Sequence, residues 1–160
     1  MKDILANLDL TGTGYCASLN FRRTSRMVTR IYDAAMQESG VRSTQFAILV
    51  GIAKLQPVAM GTLAKVLMLD SSTLTRSLRL LQKEGMIEKS KRGEMRQRFL
   101  KLTHSGEKAL ERSLPLWRTA HATFVATVGE KYWLKLRNEL ESIAKSTILT
   151  VVPPEDNSCE

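Results

Sequence analysis

The apolar positions of this chain recur at helical spacing over most of its length and alternate over one short stretch only. From about Ala17 to Glu38, Phe21, Val28, Tyr32 and Ala35 line one side of a helix, while Arg23, Arg26, Arg30 and Asp33 line another. Gly40 is its expected stop, and residues 1–15, broken by Gly12 and Gly14, are expected to be irregular. Ser43 or Thr44 can cap a second helix through Leu55, closed by Pro57. Its Phe46, Ile48, Leu49, Ile52 and Ala53 surround most of its circumference, so it should be largely buried. A short third helix fits Met60 to Leu67. A fourth fits Ser72 to Glu84, with Asp70 or Ser71 as its cap and Gly85 as its stop.

The texture then changes. Met86 to Ser90 and Gln97 to Thr103 alternate in character and flank the polar stretch Lys91-Arg92-Gly93-Glu94-Met95, which predicts a β-hairpin. Thr103 and Ser105 can cap the helix that follows, whose long face holds Leu110, Leu114, Trp117, His121, Phe124 and Val128. Pro115 falls inside it and should kink it. After Gly129 a last helix carries Trp133, Leu136, Leu140 and Ile143 in a narrow seam at three- and four-residue spacing, as pairing with another helix requires. Packing within one subunit, under Phe124 and Trp117, is the alternative for that seam. Residues 150–160, with Pro153-Pro154, should form a flexible tail.

Four helices, a hairpin and two long helices therefore make a mainly α chain with a small β-hairpin wing. Residues 1–160 read as one unit, with no repeat or low-complexity segment. Composition narrows the class. Aromatics are 6% of the chain, with 9 Gly and 4 Pro, a mix that favours helices over a sandwich or barrel. With 24 Lys+Arg against 16 Asp+Glu, the net charge is +8, which points to an anionic partner such as nucleic acid. The apolar block Phe46–Ala53 is too short to span a bilayer, and no export signal is legible at the N-terminus, so no membrane association is expected. Two cysteines near opposite ends, Cys16 and Cys159, make no disulfide framework, and the cytoplasm is the expected compartment.

Candidate chemistry concentrates between Met60 and Thr103. A short helix, a tight turn at Met68-Leu69-Asp70 and a second helix form a helix-turn-helix candidate. On the second helix Leu74, Leu78 and Leu81 make a core stripe, so Ser72, Arg76, Arg79 and Lys83 point the opposite way with no acid among them. A helix entering the DNA major groove needs such a face, because arginine can bond guanine bidentately and hydroxyls reach bases or phosphates. Its capped N-terminus could offer backbone N–H groups to phosphate. The hairpin adds Lys89, Lys91, Arg92, Arg96, Arg98 and Lys101 against Glu94, a tip suited to the DNA backbone or to the minor groove. Taken singly, a basic helix face is most often solvated surface; the ordered combination is what points to DNA.

Leu63-Ala64, Asp70-Ser71-Ser72-Thr73-Leu74-Thr75-Arg76, Leu81, Glu84-Gly85-Met86-Ile87, Glu94-Met95-Arg96 and Leu100-Lys101-Leu102-Thr103-His104-Ser105-Gly106 closely resemble the multiple-antibiotic-resistance regulator (MarR) family. Upstream, Ser43-Thr44-Gln45-Phe46 with Leu49 is similar to the signature of that family's second helix. Where the family usually has Asp in the wing, this chain has Glu94. The resemblance implies a winged helix-turn-helix domain at about 43–103, with dimerisation helices at about 17–38 and 104–149. It implies a homodimer on a palindromic double-stranded DNA operator, usually as a repressor. Carried over, the reading residues are Ser71, Ser72, Thr73, Thr75, Arg76 and Arg79, with Arg92 and Arg96 on the wing. Lys83, Lys91 and Arg98 complete the expected DNA-binding set, and Trp133, Leu136, Leu140 and Ile143 the dimerisation set.

Relatives in that family release DNA on binding a small aromatic compound or on cysteine oxidation. Cys16, just before the first long helix, is the redox candidate; Tyr32, Trp117 and His121 are the effector candidates. An inert thiol, ordinary core aromatics and a satisfied histidine are the plainer alternatives. Gly12-Thr13-Gly14-Tyr15-Cys16-Ala17 matches a dinucleotide-binding pattern but lacks the preceding strand and the βαβ surroundings it requires. His104 and His121 are out of step on one helix, and no metal or nucleophile motif occurs, so neither a cofactor nor an enzyme is expected. The competing class is a winged-helix module that binds an acidic protein; its interface would favour exposed aromatics, and the hairpin tip has none.

Overall fold

A computed structural model describes residues 8–91 and 98–151. Six α-helices and three short strands follow in the order α1 (Ala17–Ala35), α2 (Ser43–Leu55), β1 (Val58–Ala59), α3 (Met60–Leu67), α4 (Ser71–Lys83), β2 (Ile87–Lys91), β3 (Arg98–Leu102), α5 (His104–Val128) and α6 (Glu130–Val151). The chain divides into two units, Met1–Ala120 and His121–Glu160, with the division inside α5.

In the first unit α1 ends at Ala35, and a short 3₁₀ turn, Gln37–Ser39, precedes Gly40, whose φ of 72° lies in the left-handed region that glycine tolerates. Ser39 is buried in that turn. Its hydroxyl donates to Met36 O at 2.7 Å and accepts from Val41 N at 3.1 Å. The start of α2 differs from expectation. Ser43 is its first helical residue rather than its cap, and the capping carboxylate comes from α1: Asp33 Oδ1 accepts from both Ser43 N and Ser43 Oγ at 2.7 Å. One orphan backbone N–H at the helix start, with the neighbouring hydroxyl, is thus satisfied from another helix.

The core gathers Phe46, Ile48, Leu49 and Ile52 of α2, Leu63 of α3, Leu74, Leu78 and Leu81 of α4, and Ile87, Leu100 and Leu102 of the hairpin. Non-directional burial of these side chains is the main force holding the unit together. The sheet has the order β1-β3-β2, antiparallel throughout. Ile87 faces Leu102, Glu88 faces Lys101, and Lys91 faces Arg98 across the hairpin. The two-residue strand β1, absent from the expectations above, pairs Val58 with Leu100 and Ala59 with Phe99. Gln56 reinforces that corner by accepting Leu102 N through Oε1 at 2.9 Å.

Helix α5 is capped by Thr103, whose Oγ1 accepts from Gly106 N at 3.1 Å and donates to Gly85 O at 2.6 Å. The helix runs through Pro115 without interruption. Its fully buried positions are the small residues Gly106, Ala109, Ser113 and Ala120, while Leu110, Leu114 and Trp117 are only half-buried. Small residues let the helix approach closely: a Cβ on Gly106 would collide with the Met86 carbonyl. Ser113, fully buried, satisfies its hydroxyl by donating to Ala109 O at 2.6 Å. In the second unit, Trp133 of α6 takes Phe124 edge-on at a ring-centroid distance of 5.4 Å and His121 at 6.1 Å.

Candidate nucleic-acid interface

Helices α3 and α4 are joined by three residues. Met68 turns the chain with φ 51°, ψ 40°, a left-handed conformation unusual for a residue with a side chain. The turn is closed by Met68 N donating to Lys65 O and Leu69 N donating to Ala64 O, at 3.2 and 3.0 Å. Asp70 then caps α4: its Oδ1 accepts from Thr73 N at 2.8 Å and from the Ser72 hydroxyl at 2.6 Å. The Ser72 hydroxyl first, and Thr73 next, hold the Asp70 carboxyl far below the usual carboxylate range. One consequence corrects the sequence expectation. The cap places a carboxylate on a backbone N–H that a phosphate would otherwise take, and Ser72, its proton committed to Asp70, presents an acceptor outward.

The cation face is as the spacing requires. Leu74, Leu78 and Leu81 are buried, at 0%, 1% and 0% exposure, whereas Ser71, Ser72, Thr73, Arg76, Arg79 and Lys83 are all exposed. No acid lies within α4 itself. Thr75 is half-buried and turned toward α3, its hydroxyl 3.9 Å from the Met60 sulfur, a contact the sequence did not suggest. On the hairpin Lys89 and Lys101 are exposed. Lys91 and Arg98 form its last described pair, and Arg92 and Arg96, with Glu94, lie outside the described residues.

The remaining candidates are dispersed. Cys16 is exposed immediately before α1. Tyr32 is half-buried, and burial pushes its phenol upward. Trp117 stacks on Phe46 at 5.7 Å with ring planes 23° apart, so it packs against the core of the first unit. His121 belongs to the second unit, against Trp133. Of the expected dimerisation set, Trp133, Leu136 and Leu140 are half-buried and Ile143 is 48% exposed. Among the described residues no group of His, Cys, Asp and Glu could hold a metal ion, and no helix is long and apolar enough to cross a membrane.

Comparison with known proteins meets this geometry. The MarR family profile matches residues 41–94, a stretch that holds α2, β1, α3, α4 and β2. The solved structure of the transcriptional regulator MosR of M. tuberculosis in complex with DNA is 29% identical to this chain, with a TM-score of 0.78. That match covers 86% of this chain and 99% of MosR. The family match and this solved relative agree on one winged-helix domain. The chain is a DNA-binding transcriptional regulator with the winged-helix fold. An uncharacterized HTH-type transcriptional regulator of Bacillus cereus is 26% identical over 122 residues, 76% of this chain and 82% of that protein. The PcaV transcriptional regulator of Streptomyces coelicolor, solved with its natural ligand, shares the fold at a TM-score of 0.76 and 17% identity, over 88% of this chain and 99% of PcaV. The MarR match includes α3, α4 and β2, and with them the exposed Arg76, Arg79, Lys83 and Lys89.

Proposed function

We propose that this MarR-family chain binds a palindromic double-stranded DNA operator as a homodimer, represses transcription from it, and releases it when an effector binds. The observation that carries the DNA part is the acid-free, exposed face of α4, with Arg76, Arg79 and Lys83 opposite a fully buried leucine stripe. Arg76, Arg79 and the Ser71–Thr73 hydroxyl cluster read bases, while the hairpin cations, together with Arg92 and Arg96, bind phosphate or the minor groove. The dimer is supported by exposed apolar surface on α1, where Leu19, Phe21, Met27 and Ile31 are 43–58% exposed. Such exposed apolar surface marks interaction sites.

Effector control is supported by the ligand-bound state of PcaV and by the amphipathic residues Tyr32, Trp117 and His121. Cys16 is the candidate for oxidant control, being exposed at a helix start. Peroxide should then release DNA from the parent and not from Cys16→Ser; equal release from both removes Cys16 from the mechanism. The base-reading role is tested by anisotropy titration of Arg76→Ala against the preferred duplex. We expect a loss of about 1–3 kcal/mol together with relaxed sequence preference. Unchanged affinity contradicts the assignment.

A further inference from the structure

Gln45 belongs to the motif that resembles the family's second-helix signature, yet no role in reading DNA follows from its place in α2 alone. In the structure it is 7% exposed and joins the start of α2 to the end of α4. Its Oε1 accepts from Arg42 N at 2.9 Å, at the start of α2. Its Nε2 donates to Glu84 Oε2 at 3.0 Å, across 39 residues of sequence, at the C-terminal end of α4. The amide orientation is forced, because Arg42 N can only donate and the Glu84 carboxylate can only accept. The α2 end of this bracket is itself anchored, since Asp33 of α1 holds Ser43 through two hydrogen bonds of 2.7 Å.

Glu84 is otherwise hard to account for. It sits at the C-cap of α4, where the helix carbonyls concentrate negative partial charge and an acid is unfavourable. The Gln45 amide gives that carboxylate a donor. The rest of the packing of α4 is apolar and non-directional: Leu74, Leu78 and Leu81 set its depth but constrain its rotation about its own axis weakly. Rotation matters, because base reading requires side chains held to within roughly 10–20° of the productive geometry. A directional hydrogen bond at the end of α4 nearest Arg79 and Lys83 supplies that constraint.

We propose that Gln45 is a positioning residue for base reading: through Glu84 its amide locks the rotation of α4 and so fixes where Arg76 and Arg79 point. This rests on α4 being the reading helix. Gln45 itself touches no DNA in this scheme.

The experiment uses the full chain and reads a ratio, the affinity for the duplex the parent prefers divided by the affinity for a scrambled duplex of the same length. Glu84→Gln and Glu84→Ala remove the same negative charge, so attraction to phosphate rises equally in both. Only Glu84→Ala removes the acceptor, because a glutamine there still accepts from Gln45 Nε2 through its own carbonyl oxygen. We expect Glu84→Gln to stay within about twofold of the parent ratio and Glu84→Ala to lose about tenfold, the size of a lost specific contact. Gln45→Glu sets two carboxylates against each other and should lose at least as much. The double variant Gln45→Glu with Glu84→Gln reverses donor and acceptor and should restore the ratio. Circular dichroism and a melting curve confirm that each variant is folded; if Gln45→Glu is not, the two substitutions at exposed Glu84 decide alone. Equal ratios for Glu84→Ala and the parent overturn the inference while leaving α4 as the reader. A parent that prefers no duplex overturns the DNA-reading role and this inference with it.

Discussion

Asp70 does two jobs with one oxygen. It caps α4 and binds the Ser72 hydroxyl, and both contacts favour the ionised carboxylate. Its pKa is therefore lower in the folded chain than in the unfolded one. Stability from this source is fully present above the unfolded value, about 4, and is lost as the pH falls from there toward the folded value. Asparagine caps a helix as well as aspartate but does not titrate. The melting temperature of the parent should therefore fall more steeply below about pH 4 than that of Asp70→Asn. Parallel curves for the two proteins from pH 7 to 3 contradict the role given to this carboxylate. The exposed cations of α4 were legible in the sequence because Arg76, Arg79 and Lys83 share a face by helical spacing alone. That the Ser72 proton is committed to Asp70 was not, since hydroxyl partners depend on rotamers rather than on spacing.

The helices follow the same division between local and distant causes. The bounds of α3 are those expected, and α4 differs from expectation by one residue at each end, because caps and stops lie within the segments themselves. What the pattern concealed came from elsewhere in the chain: Asp33 reaching across from α1, and the strand β1, too short to alternate and recognisable only by its partner β3. The face of α5 was concealed differently. Its large apolar residues Leu110, Leu114 and Trp117 suggest one face, whereas the deepest line is Gly106, Ala109, Ser113 and Ala120. This makes Gly106 a sensitive position. The Met86 carbonyl it faces is held in place by the hydrogen bond from Thr103 N at 3.1 Å, so it cannot easily yield. Gly106→Ala should cost about 1–3 kcal/mol in urea denaturation, the usual price of overpacking. A cost near zero would show that α5 and the hairpin are free to separate.

The whole molecule combines a winged-helix domain, matched by the MarR family model over residues 41–94, with a C-terminal helix that carries exposed apolar residues. Trp133 is met by Phe124 and His121 within the chain, which is part of what the single-subunit alternative required. Leu136, Leu140 and Ile143 continue the seam beyond it. If the seam pairs two chains, Leu140→Lys should shift the sedimentation coefficient from dimer to monomer. It should also weaken binding to a two-half-site duplex by at least about tenfold, because the second domain loses its high effective concentration. A Leu140→Lys chain that sediments like the parent assigns the seam to packing within one subunit.

The most direct measurement is selection of duplexes from a random pool by the parent chain, followed by anisotropy titration of the selected sequence at two salt concentrations. The expected result is a palindrome with half-sites about one helical turn apart. Affinity should fall steeply with salt as the α4 and hairpin cations release counterions from the phosphates. Binding that is absent, or blind to sequence at physiological salt, would contradict the assignment of α4 as a reader of bases.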